Sequence, residues 1–118
     1  MTVDPNNEVE SNPMDGLDEV VHQRARLGIL TITHASRRVE FGYLLGALEL
    51  TGGNLSRHVR VLEEAGLVRV EKGLQGRRPR TWVSITSRGR KALLQEIAAL
   101  KAIVNRVEGT ERTQDVAE

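Results

Sequence analysis

Leu50-Thr51-Gly52-Gly53-Asn54-Leu55-Ser56-Arg57-His58-Val59-Arg60-Val61-Leu62-Glu63-Glu64-Ala65-Gly66-Leu67-Val68 is the stretch that decides the fold. Thr51 is a good N-cap for a helix reaching about Ala65. Leu55, Val59 and Leu62 stand at i, i+4 and i+7, so one side of that helix is apolar. Gly66 sits where a C-terminal glycine cap belongs. The opposite side carries Gly53, Arg57, Arg60 and Glu64, with Asn54 and Ser56 on its flanks near the N-terminal end. Gly52 and Gly53 are poor helix formers, each costing up to about 1 kcal/mol relative to Ala. Two reasons for them stand open: an easier tight turn, or close backbone approach to a phosphate.

Working towards the N-terminus, a helix is expected from about Glu40 to Leu48. Its stripe is Phe41, Leu44, Leu45 and Leu48, at i, i+3, i+4 and i+7. A short turn around Glu49 and Leu50 joins it to the helix above, which makes the pair a helix-turn-helix candidate. Before it, Val39 is expected to supply a short strand, and Ser36, Arg37 and Arg38 a connection. A first helix is expected from about Leu17 to Thr33, with Val20, Leu27 and Leu30 near one face.

Working towards the C-terminus, residues 67–72 read as a strand, Gly73 to Pro79 as a hairpin loop, and Thr81 to Ile85 as the return strand. Arg77, Arg78 and Arg80 crowd this hairpin. They do nothing for turn geometry and repel one another, which points to an external polyanion, and Pro79 stiffens the arm. Ser87 is expected to cap a long last helix to about Val107. Leu93, Ile97, Leu100, Val104 and Val107 repeat at 4, 3, 4 and 3, a heptad seam that points to a partner helix and a homodimer.

Composition narrows the function classes. In 118 residues, 39% are hydrophobic but only 3% aromatic. The core must be aliphatic, and a stacking platform for single-stranded nucleic acid lacks its rings. With no cysteine, disulfides, thiolate metal sites and cysteine nucleophiles drop out. Neither a membrane span nor a signal peptide is visible, so the expected location is the cytoplasm.

The net charge of +1 conceals segregation. Residues 1–20 hold six acids and no base, and residues 105–118 hold four acids and two bases. Of the 17 bases and 16 acids in the chain, residues 21–104 therefore keep 15 bases against six acids. A basic body with acidic ends is the electrostatic footprint of a nucleic-acid binder.

No arrangement of catalytic residues stands out, and residues 73–76 lack the Lys-Ser/Thr of a phosphate-binding loop. An enzyme is not expected, nor a cofactor. His22 and His34, at opposite ends of the first helix, are too far apart to share a metal and read as surface residues. Trp82 reads as core or hairpin packing.

The quoted stretch resembles the recognition helix of MarR- and ArsR-type winged-helix regulators, most specifically in Ser56-Arg57-His58 and in Leu62-Glu63-Glu64-Ala65-Gly66-Leu67-Val68. Lys72-Gly73, residues 76–81 and residues 86–90 are similar to the wing and final-helix start of that group. The resemblance covers about residues 20–104. It implies a compact dimeric repressor or activator of bacterial or archaeal type, and a phosphate or helix-packing role for His58. The chain departs from metal-sensing ArsR members, whose ligand sets use Cys or His/Asp, and is shorter than most MarR members.

The expectation is thus an α+β, mainly α fold: a winged helix-turn-helix at 17–108 whose dimerisation helix spans 87–108, between disordered tails at 1–16 and 109–118. Double-stranded DNA is the expected partner. Thr51, Gly53, Asn54, Ser56, Arg57, His58 and Arg60 would act in the major groove, and Arg77, Arg78 and Arg80 on adjacent backbone or minor groove. A winged helix used only for protein–protein contact is the alternative, and the five arginines speak against it.

Overall fold

The computed structural model describes residues 12–117, without the side chains of 114–117. Its elements are α1 (Arg24–Ala35), β1 (Val39–Glu40), α2 (Phe41–Leu48), α3 (Gly52–Glu64), β2 (Val68–Gln75), β3 (Arg78–Ile85) and α4 (Ser87–Ala117). The three strands form one antiparallel sheet in the order β1-β3-β2. This is the winged helix-turn-helix, mainly helical as expected, with a long C-terminal helix. No described helix is long and apolar enough to cross a membrane.

Aliphatic side chains make the core. Val21, Ile29, Leu30, Leu44, Leu55, Leu62 and Val83 are fully buried, and Val39, Val59, Leu67, Val68, Ile85 and Leu93 nearly so. The expected inward face of α3, Leu55, Val59 and Leu62, is therefore in place. The sheet explains itself by period-2 alternation. Val39 pairs with Val83, which pairs with Val70, and Val68 pairs with Ile85; this row faces the helices. Glu40, Trp82 and Glu71 form the next row and face outward. Arg38 lies over the Trp82 ring, 4.2 Å from its centroid, so Trp82 packs on the outer face of the hairpin.

Boundaries differ from expectation for local reasons. The first helix starts at Arg24, not Leu17. Asp18 Oδ1 accepts from the backbone of Val20 and Val21, which holds residues 18–21 in a turn. Gln23 then caps the helix by accepting from Arg26 N. Most of the expected acidic tail lies outside the described residues. Within it, Gly16 comes close to Ala99 of α4: a Cβ there would stand 3.1 Å from the Ala99 Cβ.

The last helix is capped by Thr86 rather than Ser87. Thr86 Oγ1 accepts from Gly89 N at 3.0 Å and donates to Gly66 O at 2.7 Å. A side chain at Gly89 would strike Leu67 O at 2.1 Å, so only glycine lets α4 start this close to the end of α3. At its far end α4 continues through Ala117, past the expected stop near residue 108. Residues 108–117 contain no proline, and Thr110 and Thr113 bond back to Arg106 O and Gly109 O.

His22 is at the surface as expected, its side chain 49% exposed, but it is tied to the core. Its Nδ1 lies 2.6 Å from Glu96 Oε2, and the Glu96 side chain is fully buried. Glu96 Oε1 also accepts from Asp18 N at 3.0 Å. One buried carboxylate on α4 thus anchors the segment that precedes α1.

Candidate nucleic-acid interface

The first turn of α3 is open to solvent. Thr51 Oγ1 accepts from Asn54 N at 3.2 Å, as an N-cap does. Thr51, Gly52, Gly53, Asn54, Ser56, Arg57 and Arg60 are all exposed, and Arg57 donates to Asn54 Oδ1 at 3.3 Å. Amide and guanidinium therefore stand side by side on the outer face of the helix, one turn from its positive N-terminal end. Neither Gly52 nor Gly53 has a positive φ, and beyond the adjoining residues and the helix's own backbone nothing in the described chain lies within 4 Å of a Cβ built at either. Turn geometry falls to Glu49 instead, at φ 53.

His58 departs from this group. It is 8% exposed and lies inside α3 beside Leu55 and Leu62. Arg26 Nη1 approaches its Nδ1 to 3.1 Å, while Arg26 Nε donates to Val20 O at 2.6 Å. A guanidinium only donates, so His58 Nδ1 accepts and the ring proton sits on Nε2. Burial, then the charges of Arg26 and Arg57, hold the imidazole below its ordinary pKa. His58 is a helix-packing residue that orders Arg26, and the structure withdraws it from the exposed reading face. The signal was in the sequence, because residue 58 falls on the same apolar stripe as 55, 59 and 62.

The wing is longer and tighter than the sequence indicated. β2 and β3 pair in register from Val68–Ile85 to Gln75–Arg78, leaving a two-residue turn of Gly76 and Arg77. Gly76 has φ 65 and Arg77 does not share that sign, the pattern of a type II′ hairpin turn. Arg77 and Arg78 are exposed. Arg80 is engaged within the chain: its Nε donates to Gln75 Oε1 at 3.1 Å and its Nη1 lies 3.2 Å from Glu40 Oε1. It braces the base of the wing against β1, on the outer face of the sheet.

Register parity adds two residues, both inside the expected strands, to the candidate interface. Lys72 pairs with Thr81 on the same face as Val70 and Val83. Together with Ser56 and Arg60 of α3 they line an open cleft between helix and wing. Two cations and two hydroxyls there, against the single carboxylate of Glu63, suit a phosphate backbone. Extending strand alternation two residues past Val70 would have found Lys72.

The α4 seam divides. Leu93 belongs to the domain core at 5% exposure, and Leu100 is half-buried. Ile97, Val104 and Val107 are exposed, at 36%, 51% and 56%. Leu93 therefore packs within its own chain and is removed from the expected partner seam.

The matched family model is a winged helix DNA-binding domain, covering residues 25–104. An uncharacterised protein of Methanocaldococcus jannaschii is 32% identical over 90 residues, covering 76% of this chain and 98% of that one. Among solved structures, a transcriptional regulator homologue from Pyrococcus horikoshii OT3 superposes with a TM-score of 0.74 at 34% identity. That match covers 86% of this chain and 97% of the other. The M. tuberculosis transcriptional regulator MosR, solved in complex with DNA, shares the fold, with a TM-score of 0.63 at 19% identity over 95% and 84% of the chains.

Proposed function

Since the chain belongs to the winged helix DNA-binding domain family, we propose that it regulates transcription as a homodimer on a pseudo-palindromic duplex site. The observation that carries this reading is the solvent-open first turn of α3, where Asn54, Arg57 and Arg60 stand exposed beside a basic wing. Asn is suited to adenine and Arg to guanine in the major groove. Thr51, Gly53 and Ser56 hold the phosphates beside them. Lys72, Thr81, Arg77 and Arg78 hold the backbone where it crosses the wing. The exposed Ile97, Val104 and Val107 pair with the same residues of a second copy. MosR, a fold neighbour solved with DNA, supports the choice of partner.

A two-fold dimer reads half-sites about one turn apart, or a multiple of ~10 base pairs. Selection of bound fragments from a random duplex library by the full chain tests this. The expected result is an enriched inverted repeat. Enrichment of nothing above input would instead return the module to protein–protein contact.

A further inference from the structure

Beyond the body of the domain, the wing ends in an apolar pair. Leu74 is 70% exposed and stands across from Pro79 in the β2–β3 register. Alternation places both on the row that starts in the core. Val68 with Ile85 is buried, Val70 with Val83 follows, then Lys72 with Thr81 at the cleft beside Ser56 and Arg60. Leu74 with Pro79 is the next pair along that face. One face of the wing thus passes from core, to a polar step beside α3, to an apolar step clear of the body.

The fold gives no use for this last step. Leu74 stands clear of the core that the inner face of the sheet covers further back. Arg77 and Arg78 follow within four residues and are exposed. Arg78, paired with Gln75, belongs to the opposite, outer face, so an occupant that takes in the tip must be anionic on that side and apolar where it meets Leu74. Duplex DNA has both features in alternation, phosphates along the edges of each groove and deoxyribose on its walls. Apolar side chains enter minor grooves in other architectures.

Building on the DNA reading above, we propose that Leu74 and Pro79 pack against the deoxyribose walls of a DNA groove, giving the wing a share of affinity that does not depend on charge. Pro79 holds this end of the arm rigid, which limits the entropy lost on docking. The packing needs walls at the right separation. It therefore makes the wing a sensor of groove width, and base sequence sets that width without being touched.

The test titrates the full chain and its variants against a selected duplex between about 50 and 200 mM salt. Leu74→Ser is expected to lower affinity about tenfold at every salt concentration, shifting the log K–log salt line without changing its slope. Leu74→Met restores it. Arg78→Ala, as the ionic control, flattens the slope by about one unit. Because Leu74 is exposed, Leu74→Ser keeps the parent melting temperature. A Leu74→Ser line that superimposes on the parent, or one that changes slope as Arg78→Ala does, overturns the proposal while leaving DNA binding intact. A parent chain that binds no duplex overturns both.

Discussion

The Nη1 of Arg26 stands 3.1 Å from the Nδ1 of His58, and this contact ties α1 to α3 through a histidine that must be neutral to accept. Its pKa is lowered, first by burial and then by Arg26 and Arg57. The unfolded chain, with His58 at its ordinary value of about 6.5, binds the proton more readily than the fold does. Stability from this site is present above that value and is lost as pH falls through it toward the lowered folded value. Urea midpoints from pH 8 to pH 5 are expected to decline (roughly the window around the ordinary histidine value). The decline should be shallower in His58→Gln, and equal slopes in the two proteins would contradict the assignment.

Gly52 and Gly53 present the opposite relation between stability and function. The fold needs neither for turn geometry or packing. Gly52→Ala and Gly53→Ala should each stabilise the chain by up to about 1 kcal/mol. If the bare backbone there receives a phosphate, Gly53→Ala should also weaken DNA binding at every sequence tested. Anisotropy and urea unfolding on the same samples separate the two effects. A stabilised variant with undiminished affinity would make the glycines incidental.

Glu96 carries a different burden. Its buried carboxylate accepts from Asp18 N and meets His22. Glu96→Ala leaves a part-buried amide unpaired, which costs about 1–3 kcal/mol. The segment before α1 should also come loose from α4. Hydrogen exchange at Asp18 reads this directly, and unchanged protection there would refute the anchor.

Much of this architecture is legible in the residues, and the departures have physical causes. Periodicity found α2, α3, the hairpin and the short strand at Val39, because each buries an aliphatic stripe or row. Periodicity placed the start of α1 too early, because Asp18 satisfies the Val20 and Val21 amides locally and Glu96 holds the segment from 74 to 78 residues away. The glycine at 73 read as a loop signal, yet it pairs with Arg80 inside the wing. That one misplacement hides Leu74 and Pro79 as the continuation of the face to which Lys72 and Thr81, both inside the expected strands, belong. Arg80 read as a free cation because Glu40, its partner, lies on another strand.

The proposed dimer rests on the outer part of α4. At 51% exposure Val104 contributes little to its own domain. Val104→Asp should therefore leave the monomer folded while placing a carboxylate in the seam, where an unpaired charge is costly. Light scattering is expected to show a monomer. Affinity for a full inverted repeat should fall by a factor of about 10²–10⁴, the gain from joining two heads, while an isolated half-site should be bound as before. A variant that remains dimeric places the interface elsewhere on the chain.

In the proposed function the outer face of α3 reads bases. The most direct measurement compares Arg57→Ala and Arg60→Ala with the parent chain on the selected duplex and on a scrambled duplex of equal length, at one salt concentration. Removing a bidentate hydrogen-bond pair to a base should cost about 1–3 kcal/mol on the selected site and much less on the scrambled one, with relaxed preference at particular base pairs. Equal losses on both duplexes would contradict base reading and reduce the two arginines to phosphate ligands.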